Sequence, residues 1–340
     1  MQQKFLIALL AVTAVAAILA VASSLGGGPN SNPQFGRPVL AGLASHLAEA
    51  GQVTLVHGEA KTTLSRSGDH WVVVERGDYP ADAPKLRQLL LGLAGLTYVE
   101  PKTKEAKNYS KLEVEDAGAK DSQSTLVSVS GDQGALLGEV IAGKRVTDAL
   151  GGGDDGVYVR KPGDAQSWLA RGTLDLPDTP GWLDHALLDL PEAGVKEALF
   201  SSPDGSRLTI ARNQPTDKFR LAELPKDKKL RSDGALDTIA GALAGLQLSD
   251  VKQAADFTWP KTGVSRARFT FFNGLVVSIE IVDVDKTSWA RFTATGSGES
   301  SAPAQALNAR AASWVYALPA FKANLLKARL ADLLAPAKSS

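Results

Sequence analysis

The 340-residue chain contains no cysteine. Disulfide scaffolds, thiol nucleophiles and cysteine-based zinc sites are therefore excluded. Neither sign of charge is in excess, since 37 Lys and Arg offset 37 Asp and Glu. Nucleic acid is not expected as a partner, because there is no basic stripe, and there is no polybasic signal for anionic lipid. The four histidines, His46, His57, His70 and His185, are too scattered for a metal cluster, and no cofactor is implied. Aromatics make up 6%, too few for a stacking surface, so Trp71, Trp168, Trp182, Trp289 and Trp314 read as separate anchors of sub-sheets. Hydrophobic residues at 44% still suffice for a core, and the length suggests about two domains.

One long apolar run is present. Phe5 to Ala22 holds 18 uncharged residues, with Lys4 before it and no basic residue until Arg37. As a helix it would span roughly 27 Å, close to the ~30 Å hydrocarbon thickness. Residues 1–25 therefore predict a transmembrane anchor with a cytoplasmic N-terminus. The competing reading is a signal peptide cleaved after Ala20-Val21-Ala22, but the run is longer than the ~7–15 residues usual there. Gly26 to Phe35 is rich in Gly, Pro, Asn and Ser, so residues 26–37 read as a flexible linker.

A repeat organises the remainder. Strand-like runs at Gln52–His57, Lys61–Ser65 and His70–Glu75 precede a helix running to about Gly95, with Asp82 as N-cap and Pro84 in its first turn. Leu86, Leu89, Leu90, Leu93 and Leu96 mark one face of that helix. Leu236, Ile239, Ala240, Leu243 and Leu246 repeat those positions 150 residues later, and Leu-Ala-Gly-Leu recurs literally at 93–96 and 243–246. Strand-like runs flank the second helix too, at Val195–Phe200, Arg207–Ala211, Phe219–Glu223, Arg266–Phe272, Leu275–Val282 and Ser288–Thr295. Ala304 to Leu334 reads as further helical material, interrupted at Pro319. The predicted fold class is α+β: two tandem repeats of antiparallel strands with a packed helix, at residues 38–190 and 191–334, plus the N-terminal transmembrane helix.

Motifs of chemistry fail on context. Gly151 to Gly156 fits G-x-G-x-x-G, but a strand follows where a helix is required. Gly138 to Lys144 fits G-x-x-x-x-G-K, but Arg145 stands where Ser or Thr must bind magnesium. Asp184 and His185 are neighbours with no nucleophile elbow to serve. Asp283 and Asp285 alternate along a predicted strand and would share a face, the one arrangement that could supply paired carboxylates.

Several stretches resemble a known family. They are Trp71-Val72-Val73-Val74-Glu75, Tyr79-Pro80-Ala81-Asp82, Leu89 to Ala94, Glu100-Pro101-Lys102-Thr103, Tyr158 to Gly163, Gln166 to Ala170, Trp182-Leu183-Asp184 and Trp314 to Pro319. Together the chain from about 38 to 334 resembles the bacterial family termed domain of unknown function 4340. The resemblance implies a single-pass envelope protein that accompanies ABC-type transport or gliding-motility-type components. It brings no catalytic residues. The candidate partner-contact or structural residues are Tyr79, Asp82, Glu100, Lys102, Thr103, Tyr158, Arg160 and Trp168.

The expectation is a non-enzymatic binding or assembly module in the bacterial inner membrane, with a periplasmic body and an envelope or transporter protein as partner. The alternatives are an envelope hydrolase using Asp283 and Asp285, and a carrier of lipid or another small molecule.

Overall fold

The computed structural model describes residues 33–149, 151–222, 228–232 and 234–335. The chain divides into two compact units. The first runs up to Arg66 and resumes over Pro84–Leu176; the second comprises Ser67–Ala83 and the chain from Pro177 onward.

The first unit is built on β1 (Ala50–His57), β2 (Ala60–Ser67), β5 (Thr97–Pro101), β6 (Thr125–Gly131), β7 (Leu136–Val146), β8 (Gly156–Arg160) and β9 (Ser167–Arg171). Strands β3 (His70–Val73) and β4 (Tyr79–Pro80) belong to the second unit. The order in the first sheet is β2-β1-β6-β7-β8-β9-β5, and every pairing is antiparallel. Alternation decides the buried face: Val53 and Leu55 face Leu64, Val127 and Val129 in register. Helix α1 is the short Leu43–His46, α2 is Ala83–Gly95 and α3 is Tyr109–Leu112. On α2, Leu86, Leu89 and Leu93 are buried and Leu91 is exposed, as a 3.6-residue stripe requires.

The second unit adds β10 (Ala186–Leu188), β11 (Val195–Ser201), β12 (Arg207–Ala211), β13 (Arg220–Leu221), β14 (Leu246–Gln247), β15 (Asp250–Gln253), β16 (Ser265–Phe271), β17 (Val276–Val284), β18 (Thr287–Thr295) and β19 (Trp314–Leu318). Its sheet runs β13-β12-β11-β16-β17-β18-β19-β15, again antiparallel. Its helices are α4 (Ala235–Ala240), α5 (Ser301–Ala311), α6 (Ala320–Leu326) and α7 (Leu330–Leu333). Leu236, Ile239, Ala240, Leu243 and Leu246 are all buried, although α4 is only six residues long and continues as a 3₁₀ turn. The two sheets share one connectivity. In each, a hairpin leads to a helix, an edge strand follows, and a four-strand meander returns to pair its last strand with that edge.

In the second unit β3 and β4 form a small ladder, and Ala81 bridges Leu183. The Tyr79 ring meets Trp314 edge-on at 5.1 Å and Tyr316 at 6.3 Å, and Trp182 is fully buried with its indole N–H on Pro177 O at 3.1 Å.

Several expectations are corrected. The protein is mostly antiparallel sheet with few, short helices, rather than α+β with a transmembrane helix. The longest described helix has 13 residues, about 20 Å against the ~30 Å of a hydrocarbon core. No helix among the described residues is long and apolar enough to cross a membrane, and residues 1–25, on which the anchor rested, lie outside them. The single-pass inner-membrane placement, with its cytoplasmic N-terminus and periplasmic body, therefore loses its structural basis. The end of the proposed linker is also not a free tether: Gly36 N–H donates to Tyr98 O and Tyr98 N–H to Arg37 O, laying this segment along β5. The helical reading of 304–334 fails at β19, where the buried Val315-Tyr316-Ala317-Leu318 run fits a pleated interior strand ended by Pro319.

The equivalence of the two leucine stripes yields a stability prediction. Leu93→Ala and Leu243→Ala each lower stability by ~2–5 kcal/mol, and Leu91→Ala changes it by less than ~0.5. Urea midpoints check this; a Leu91 effect equal to the other two contradicts it.

Candidate functional site

The sequence-predicted residues fall into two groups. Tyr79 and Asp82 lie in the second unit, the other six in the first. Tyr79 is buried, and burial raises its phenol to about 12, with the Asp184 charge adding to the rise. Asp82 stands immediately before α2, and its backbone N–H donates to Trp182 O.

The first-unit residues lie around β5, β8 and β9. Lys102 N–H donates to Ser167 O, and Ser167 N–H and Oγ both donate to Thr103 O, so the ladder continues past Pro101. Thr103 N–H in turn donates to Ser167 Oγ at 3.0 Å. Lys102 Nζ reaches Glu100 at 2.7 Å and lies 6.0 Å from the Tyr158 ring centre. Trp168 packs on Tyr98 at 4.8 Å. Arg160 is 3% exposed. Its guanidinium donates to Val114 O (2.7 Å), Asp164 O (3.0 Å) and Asp116, and stacks 4.5 Å from the Tyr109 ring. These bonds tie two loops to the sheet. The second unit has a counterpart that sequence reasoning missed: Arg212 is buried, donates to Glu192 O, Ala193 O, Val195 O and Pro215 O, and stacks on Phe219. Nothing local in the sequence marks a buried arginine; only the surrounding carbonyls do.

The motif look-alikes resolve into loops and strands. Gly151, Gly152 and Gly153 all have positive φ in the turn before β8, and Gly138 to Lys144 lies inside β7. His185 Nδ1 lies 2.8 Å from Leu248 O. Asp285 is not on the strand with Asp283. Asp285 and Lys286 (φ 50° and 64°) form the two-residue turn between β17 and β18, a geometry that suits the strands' right-handed twist. The two carboxylates therefore do not share a face.

A cleft of about 650 Å³ in the second unit is large enough to hold a ligand. One wall is α4, presenting Thr238 and Ile239; the other is the C-terminal run, with Phe321, Leu325, Ala328 and Leu333; Ser265 and Asp283 lie at the sheet end. Leu326, between Leu325 and Ala328, is fully buried, whereas Phe321 is 66% exposed. The C-terminal carbonyls behind α4 are capped by Lys322, whose Nζ donates to Ala242 O and Ala244 O. Burial lowers the Lys322 ammonium from its ordinary value.

The polar end is tightly coupled. Lys327 Nζ donates to both Asp283 oxygens (2.7 and 2.9 Å) and to Ser288 Oγ (3.1 Å), while Ser288 Oγ donates to Asp283 at 2.6 Å. Burial works to raise the Asp283 carboxyl, but the hydrogen bonds from Lys327 and Ser288 outweigh it and hold the carboxyl below its usual range. Serine and lysine are here committed to a carboxylate, an arrangement that fixes the cleft floor. Among the described residues no group of three or more His, Asp or Glu side chains could hold a metal ion.

The fold and cleft define an antiparallel-sheet protein of two units with equivalent strand order and a ligand-sized cleft in the second. The sequence matches the family described as Domain of unknown function (DUF4340) over residues 71–265, more than half of the chain, and the protein belongs to that family. The match is shorter than the 38–334 suggested by resemblance. No curated protein and no solved structure matches the chain.

Arg160→Met leaves buried carbonyls without donors and lowers stability by ~3 kcal/mol, with Arg160→Lys rescuing little of it. Equal stability of Lys and Arg at this position, by denaturant melts, contradicts the fork geometry. Asp283 gives a pH signature. Its folded carboxyl lies below the ordinary 3.8, so its stabilising effect is present above that value and is lost as pH falls through the lowered one. Asp283→Asn therefore lowers Tm at pH 7, and the gap to the native protein closes in strong acid. A gap independent of pH contradicts the pairing.

Proposed function

We propose that this protein is a non-catalytic binding module that assembles with a protein partner through the cleft of its second unit. The observation that carries the reading is Phe321, held 66% exposed at the wall of a ligand-sized cleft. An exposed aromatic beside a hollow suits insertion of, or packing by, a partner's apolar side chains. The polar groups at the cleft floor bond to one another, which favours binding over chemistry. The transporter-accessory role implied by the family resemblance is compatible with this reading and supplies one class of partner.

A second reading is a small-molecule carrier. Its support is the cleft volume, about 650 Å³, within the ~300–1,000 Å³ range of small-molecule sites. The hydrolase alternative loses its motivation, because Asp285 occupies the hairpin turn.

The test uses Phe321→Ser in the full-length protein. This exposed position tolerates the change, with stability altered by less than ~0.5 kcal/mol. Affinity purification from the native host recovers a partner with the native protein, and the variant loses it. Identical recovery by both proteins overturns the cleft as the contact. Extraction of a stoichiometric small molecule from the native protein but not the variant favours the carrier.

A further inference from the structure

The solvent face of the second sheet carries a separate concentration of positive charge. Strand alternation turns Arg266 and Arg268 outward on β16, Ser278 and Glu280 on β17, and Arg291 and Thr293 on β18, while Ala267, Phe269, Ile279 and Phe292 face the core. The register lines these up in two cross-strand rows. One reads Arg207, Ser201, Arg266, Glu280, Arg291; the other reads Thr209, Leu199, Arg268, Ser278, Thr293. Within these two rows four arginines stand with one carboxylate; Glu197 lies on the same face in the next row, opposite Thr270. The middle of this surface is a hollow of about 490 Å³ lined by Leu199, Arg266, Arg268, Ser278, Glu280 and Arg291.

The charges are not equally committed. Arg266 Nε donates to one Glu280 oxygen at 2.9 Å and Arg291 Nε to the other at 2.6 Å, and Arg291 also stacks 4.5 Å from the Trp259 ring. Burial works to raise the Glu280 carboxyl, and the two arginines outweigh it and hold it below its usual range. Arg268 is different. It is exposed and sits in the hollow, and among the described residues its guanidinium has no hydrogen bond, ion pair or ring partner. A guanidinium presents a planar fork of donors that fits a carboxylate in bidentate fashion. Arg266 and Arg268 stand two residues apart on one strand, ~6.6–7 Å, which is also the spacing of same-face side chains along an extended peptide.

We propose that this arginine face is a docking site for an acidic, extended segment of a partner protein, with Arg268 as its free anchor and Glu280 as an internal competitor for Arg266 and Arg291. Charge complementarity carries the assignment: an excess of two positive charges in the hollow, with the hydroxyls of Ser278 and Thr293 in the same cross-strand row as the unpaired guanidinium. The site is separate from the cleft described above and does not depend on it.

The probe is fluorescein-labelled hexaglutamate, titrated by anisotropy into the full-length protein at about 50 mM and about 300 mM salt. The native protein binds saturably, and more weakly at the higher salt. Arg268→Gln weakens binding about tenfold, the loss of one charge-assisted pair. Glu280→Gln releases two guanidiniums and tightens binding, an outcome that damage to the fold would not produce. Phe321→Ser leaves hexaglutamate binding unchanged. Absence of saturable binding, equal affinity in Arg268→Gln, or weaker binding in Glu280→Gln overturns the proposal. Preferential binding of inorganic phosphate or of a single-stranded oligonucleotide overturns the assignment to an acidic peptide.

Discussion

The second unit depends on the register of β17 between β16 and β18. Phe269 opposite Val277, Val277 opposite Ala294, and Ile279 opposite Phe292 place one face wholly in the core. A slip of one residue would turn Val277, Ile279 and Ile281 to water and drive Ser278 and Glu280 inward. Burying that carboxylate without its arginines would cost far more than any local gain. Two devices pin the register. The Asp285-Lys286 turn fixes the β17–β18 hairpin at one end, and the Arg266–Glu280–Arg291 triplet ties three strands together on the open face. The same register delivers Asp283 to the cleft, where Lys327 and Ser288 hold it, and Arg266 and Arg268 to the hollow.

The two units reach the same sheet order by different local means. The first presents its leucine stripe on a 13-residue helix; the second uses six helical residues, a 3₁₀ turn and the start of β14. All five positions of the second stripe are nevertheless buried. Burial of those side chains, rather than helix length, is the common requirement, and burial is what hydrophobic stabilisation measures. Each unit also ties loops to its sheet with one buried guanidinium, Arg160 in the first and Arg212 in the second.

Much of the strand content was legible because period-two alternation is local, as at Val53 to Leu55 or Ala267 to Phe271. The leucine spacing disclosed the repeat for the same reason. Features set by non-local contacts were not legible. Asp285 looked like a strand residue because positive φ leaves no hydrophobic signal, although Asp-Lys between two alternating runs is a hairpin position. Trp314 to Leu318 lies between two helices, and its aromatic and β-branched content was outweighed by its neighbours. The chain's early excursion through Ser67–Ala83 into the second unit leaves no mark in composition, because it is secured by contacts such as Tyr79 on Trp314. Of the candidate site, the sequence shows only helical material over 304–334; that Leu325 and Arg329 line a cleft with Phe321 and Lys327 follows from tertiary placement.

The absence of cysteine makes the register directly measurable. In the double variant Ser278→Cys with Thr293→Cys the two positions stand directly opposite across β17 and β18, within the ~4.4–6.8 Å that a disulfide spans. Ser278→Cys with Thr295→Cys is the diagonal pair, ~7–8 Å apart, beyond that reach. Oxidation of both variants under native conditions, read as intrachain disulfide by mass spectrometry, closes the first pair and leaves the second as free thiols. Closure of the diagonal pair in place of the direct one would contradict the register from which the cleft and the arginine face both follow.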